Sequence, residues 1–127
     1  MPGFLTFFEP PADGWHVRRD DLIDRLAREW PDARLVPSDE MGKSDMRDVG
    51  WTYDFGEETV ECWSAQSGDG ISLDGDEGMV ALFVSWFRGL VPGEIDVTFC
   101  DDMYSFSLVI PSGVSPGDVL RMYSEVE

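Results

Sequence analysis

The sequence predicts an α+β fold: a mostly antiparallel sheet with about three helices, packed in two layers. Three observations carry this. Several segments alternate apolar and polar residues and are joined by short turns, which favours antiparallel pairing. Three other segments carry apolar residues at helical spacing. Finally, 127 residues, 43% of them hydrophobic, amount to a single domain over positions 1–127 with a core of its own.

Phe4–Phe8 is a short apolar strand closed by Pro10-Pro11, and Asp13-Gly14 is a turn signal. Between Arg18 and Trp30, residues Leu22, Ile23, Leu26, Ala27 and Trp30 form one helical stripe, with Asp20 and Asp21 at the end where the helix dipole favours negative charge. Pro31 ends that helix, and Arg34–Val36 is a brief strand. Residues 37–49 are polar and aperiodic, either a solvated connector or a functional loop. Trp51, Tyr53 and Phe55 then alternate with Thr52 and Asp54, a strand with an aromatic inner face. Gly56-Glu57-Glu58 turns it into Thr59–Gln66, and Ile71–Leu73 is a short strand between Gly-Asp turns.

Glu77–Val91 is apolar nearly all round, interrupted by Ser85 and Arg88, and its length favours a helix over a strand. Asp74, Asp76 and Glu77 crowd its start, and Pro92-Gly93 stops it. Ile95, Val97 and Phe99, then Tyr104, Phe106, Leu108 and Ile110, form the clearest hairpin, turning at Asp101-Asp102. Ser115, Pro116 and Asp118 supply an N-cap, a first-turn proline and a first-turn acid for a last helix. The expected order is β-α-β-β-β-β-α-β-β-α.

Charge narrows the partners. With 26 acidic and 9 basic side chains the net charge is −17. Direct nucleic-acid binding needs Lys and Arg against phosphates, so it is not expected, and an anionic membrane surface is disfavoured for the same reason. No run of about 18 apolar residues exists to span a bilayer. The N-terminus shows no basic leader and too short an apolar run for a signal segment, so a cytoplasmic protein is expected. Cys62 and Cys100 are the only cysteines, too few for a disulfide framework, and both are expected as buried free thiols.

Chemistry-bearing motifs are sparse. A lone histidine, His16, excludes multi-histidine zinc sites and two-histidine relays. The acidic run Gly68–Glu77 fails as a calcium loop: with Asp69-Gly70 aligned as the fifth and sixth positions, Ala65 and Ser67 fall where acids are needed. Dinucleotide, phosphate-loop and nucleophile-elbow patterns are missing. No enzyme activity, cofactor or metal is therefore expected.

The acids are unevenly placed. Residues 1–50 carry 7 basic and 11 acidic side chains, whereas residues 51–127 carry 2 and 15, with only Arg88 and Arg121 to offset the acids. The expected partner-binding residues are Asp69, Asp74, Asp76, Glu77, Asp101 and Asp102, with Met103 and Tyr104 as apolar anchors and Trp63 as a further anchor candidate. Opposed potentials speed encounter and select partners, while a few anchors supply affinity.

In size, acidity, antiparallel α+β layout and lack of catalytic residues the chain resembles the small acidic immunity proteins of bacterial polymorphic toxin systems. The run Phe87–Asp102 is also similar to a stretch of small proteins from high-GC actinobacteria. The first resemblance implies a cytoplasmic inhibitor that covers a basic cognate toxin domain and occludes its active site. Three alternatives remain at the level of sequence: a nucleic-acid mimic of the anti-restriction type, a small enzyme or metal-binding protein, and a structural or oligomerising domain suggested by the apolar segment Met79–Leu90.

Overall fold

The computed structural model describes residues 3–9, 14–36, 47–65, 67–101 and 103–126. The chain runs β1 (Gly3–Phe7), α1 (Arg19–Glu29), β2 (Arg34–Val36), β3 (Arg47–Phe55), β4 (Glu58–Ala65), β5 (Gly70–Gly75), α2 (Glu77–Leu90), β6 (Val97–Asp101), β7 (Ser107–Ile110) and α3 (Pro116–Val126). This is the expected order and an α+β fold. All seven strands form one antiparallel sheet, ordered β2-β3-β4-β5-β1-β6-β7. The N-terminal strand is thus central, inserted between the β2–β5 meander and the β6–β7 hairpin.

Register decides which side chains share a face, because paired residues point the same way and successive ones alternate. One face carries the row Leu35, Trp51, Cys62, Leu73, Phe4 and the row Ser64, Ile71, Thr6, Phe99, Leu108. The helices pack on this face. Helix α2 lies over β4, β5 and β1 and also meets α3, which explains its apolar circumference. Val80, Phe83, Val84 and Phe87 are essentially inaccessible, so the apolarity of Met79–Leu90 is used inside the fold. Its first turn is capped by Asp76, whose carboxylate accepts from Gly78 N at 3.0 Å. The Phe83 ring sits 4.5 Å from Trp30, 5.8 Å from Tyr53 and 6.0 Å from Trp51, centroid to centroid, tying α1 and β3 to α2.

A second aromatic group anchors α3. Tyr123 lies 5.8 Å from Phe4 and 5.1 Å from Phe106. At the start of α3 the expected cap is formed in both directions: Asp118 N donates to Ser115 Oγ at 3.1 Å, and Ser115 N donates to the Asp118 carboxylate at 3.2 Å. These bonds from Ser115 hold the Asp118 carboxyl below the usual carboxylate range.

Three local expectations change. Strand β3 begins at Arg47, inside the stretch expected to be irregular; residues 37–46 of that stretch lie outside the described residues. The register shifts between Arg47 and Gly50, and within that irregularity Val49 N donates to the buried Ser64 Oγ at 2.9 Å. The aromatic inner face of β3 ends before Phe55, which is 68% exposed at the hairpin tip, past the reach of the helices. Arg88, expected to offset surface acids, is only 3% exposed. Its guanidinium donates to Val91 O at 3.3 Å and Gly93 O at 3.2 Å, so it ties the end of α2 to the following loop.

Candidate functional site: the uncovered face of the sheet

Among the described residues, no helix packs on the opposite face of the sheet, and uncovered is used of it in that sense. Its central row reads Gly50, Trp63, Ser72, Leu5, Cys100, Ser107 across neighbouring strands. On one side of it runs the row Gly70, Phe7, Thr98, Val109; on the other, Thr52, Glu61, Asp74, Gly3. Trp63, Leu5 and Phe7 are half-buried, and Val109 is 59% exposed. Phe7 lies against Gly70 so closely that an added Cβ there would be 2.7 Å from Phe7 Cβ. A shallow cavity of about 310 Å³ opens on this face, bordered by Leu5, Phe7, Ala65, Ser72 and Tyr104. The result is an apolar band with one acidic border.

The β6–β7 loop adds the two expected anchors. Met103 is 80% and Tyr104 66% exposed. Tyr104 has φ +54°, a left-handed conformation that costs energy for a residue with a side chain. Asp101 holds that shape. Its main-chain oxygen accepts from Tyr104 N at 3.1 Å, and its carboxylate accepts from Ser105 N at 2.7 Å and from Ser105 Oγ. The Ser105 hydrogen bonds keep the Asp101 carboxyl below the usual range. Asp101 therefore shapes the loop that presents Met103 and Tyr104.

The expected acids divide. Asp74, Asp76, Glu77 and Asp101 all lie at the end of the sheet where β1 begins and β5 and β6 finish. The β3–β4 hairpin brings Glu57, Glu58 and Glu61 to the same end. Asp69 is at the other end, where its main-chain oxygen accepts from Phe8 N at 2.9 Å. Asp102 lies outside the described residues. Among the described residues after position 50, only Asp54 and Asp118 form ion pairs, with Arg34 at 2.7 Å and Arg121 at 3.4 Å. Glu61 and Asp74 stand directly opposite each other on the uncovered face. Asp74 Oδ1 is shielded from solvent and accepts no hydrogen bond among the described residues.

Glu61 was not among the expected binding residues. The signal was the alternation of β4, in which Val60, Cys62 and Ser64 are buried while Glu61, Trp63 and Ala65 take the other phase.

Both cysteines are free and buried, and burial pushes the Cys62 thiol well up and the Cys100 thiol up, keeping both protonated at neutral pH. Exposed His16 precedes α1, with Nδ1 3.1 Å from Gly14 O. Among the described residues no three His, Cys, Asp or Glu side chains converge as a metal site, and no helix is long and apolar enough to cross a membrane. No protein-family model, curated protein or solved structure matches the chain, so the reading of this face rests on its own geometry.

Proposed function

We propose that the protein is an inhibitor of the immunity type, acting in the cytoplasm, that binds a basic toxin domain and occludes its active site with the uncovered sheet face. The observation that supports this reading is the apolar band of Trp63, Leu5, Phe7 and Val109, bordered by Glu61 and Asp74 and extended by Met103 and Tyr104. Apolar centres with a charged rim are the usual anatomy of a protein interface. The strained, hydrogen-bonded β6–β7 loop presents its anchors in advance, which lowers the ordering cost of binding. Glu57, Glu58, Glu61, Asp74, Asp76, Glu77 and Asp101 gather at one end of the sheet, with Asp69 at the other, and such a cluster favours occlusion of a compact basic site over imitation of a phosphate backbone.

The test starts from the gene neighbourhood. A secreted protein ending in a basic domain should be encoded beside this one, and its isolated domain should bind in stopped-flow mixing. The on-rate should fall steeply from low to high salt. Trp63→Ala and Tyr104→Ala should each weaken binding by about thirtyfold, as anchor truncations do. A salt-independent on-rate, or full affinity in both variants, removes the support for this reading.

A further inference from the structure

On the helix side, a cleft of about 370 Å³ separates residues 14–18 from the flank of α1 and is closed by Leu90. That is the size of a small-molecule site. Its apolar wall comes from Trp15, Val17, Leu22 and Leu90, and the Trp15 ring is fixed 5.4 Å from Phe8. Its charged rim comes from Arg18, Arg25 and Arg28. A spacing of three residues sets Arg25 and Arg28 on one side of α1, and Arg18 stands at its N-cap. Three of the chain's nine basic residues thus border a single cleft in a molecule of net charge −17.

These guanidinium groups are not equivalent. Arg28 pairs with Asp24 at 2.8 Å and Arg25 with Glu29 at 2.7 Å. Such exposed pairs exchange partners at little cost. Arg18 forms no ion pair among the described residues, and neither does Asp21, which lines the same cleft. His16 is the remaining polar side chain of the rim.

We infer that this cleft binds a small organic anion with a single acidic head group, its planar apolar body against Trp15 and Leu90 and its carboxylate or phosphate group held by the Arg18 guanidinium. The planar fork of arginine matches both head groups in bidentate fashion. Arg25 and Arg28 supply further positive potential along the rim. Asp21 and Asp24 oppose a second negative group, which selects against polyphosphates. The site is separate from the uncovered sheet face, so it stands or falls independently of the inhibitor reading.

The test is a titration of the labelled full-length protein, followed by amide chemical shifts. The probes are phenylacetate, phenyl phosphate, benzyl alcohol and inorganic phosphate. Phenylacetate or phenyl phosphate should shift amides of residues 14–28 and Leu90, and the stronger of the two identifies the head group. Benzyl alcohol and inorganic phosphate should each bind at least about tenfold more weakly than it. Arg18→Gln should weaken the preferred probe by about tenfold, the scale of one charge-assisted contact, while Arg121→Gln should not change it. Arg18 is exposed, and matching thermal transitions would confirm that the variant folds. The inference is overturned if neither anion shifts these amides, if benzyl alcohol binds equally well, or if Arg18→Gln and Arg121→Gln act alike.

Discussion

Replacing Asp74 by Asn should stabilise the free protein and weaken its proposed complex. Glu61 and Asp74 face each other in register on the uncovered sheet, and like charges so placed are destabilising. For two carboxylates taken at about 6 Å, just beyond the Cβ spacing of directly opposed residues, and an effective dielectric between about 20 and 80, the bare repulsion is roughly 0.7–3 kcal/mol. Screening over a Debye length of about 8 Å at physiological salt leaves roughly half of it or less. Asp74→Asn removes one charge and gives Glu61 an N–H donor. The expected gain is about 1 kcal/mol, or about 3–4 °C in Tm for a domain of this size. Calorimetry at low salt and at about 1 M salt, where the Debye length is about 3 Å, gives the check. The gain should shrink in high salt. A lower Tm at low salt, or a gain indifferent to salt, refutes the reasoning. The same variant should bind a cationic partner more weakly, since the charge that burdens the free face is one that the partner would neutralise.

Other perturbations probe the parts around this face. Thr6 Oγ1 is buried with no hydrogen-bond partner among the described residues, so Thr6→Val should raise the unfolding free energy by about 1 kcal/mol in chemical denaturation. Gly70→Ala should lower it by about 1–3 kcal/mol in the same experiment, because the new Cβ would lie 2.7 Å from Phe7 Cβ and 2.8 Å from Thr6 O. The Asp101 carboxyl is held low by Ser105, so its contribution is complete above the unfolded-state value of about 3.9 and fades as pH falls through the lowered folded-state value. Hydrogen exchange, corrected for intrinsic rates, should show Ser105 losing protection in that acid range; protection unchanged down to pH of about 2 would contradict this.

What the sequence discloses and what it conceals separate along the range of the interactions involved. Alternation at Trp51–Tyr53 and around Val97–Phe99, the helical stripe of Leu22, Ile23 and Leu26, and the Ser115–Asp118 cap are local patterns, and each element was legible from them. The placement of β1 between β5 and β6 was not. It depends on pairing Phe4 with Leu73 and Thr6 with Phe99, contacts some seventy and ninety residues apart that no local window contains. Arg88 looks like a surface charge until the carbonyls of the following loop fold back onto it. The site was half legible for the same reason. Trp63, Met103 and Tyr104 stood out as anchor candidates, whereas Leu5 and Phe7 look like core until the helices are seen to pack on the other side of the sheet.

An apolar sheet face without a covering layer normally invites self-association. Two properties of this chain oppose it. The net charge of −17 makes two copies repel, and Glu61 and Asp74 place part of that charge on the face itself. Both penalties reverse sign for a cationic partner, which would meet the same apolar band while relieving the Glu61–Asp74 repulsion. Solubility alone would be served by acids anywhere on the surface. It gives no reason for a like-charged pair in register beside Leu5 and Trp63, or for a strained loop that holds Tyr104 in the open. The proposed interface accounts for the acidity and the apolar band together, and Asp74→Asn separates their contributions in one substitution.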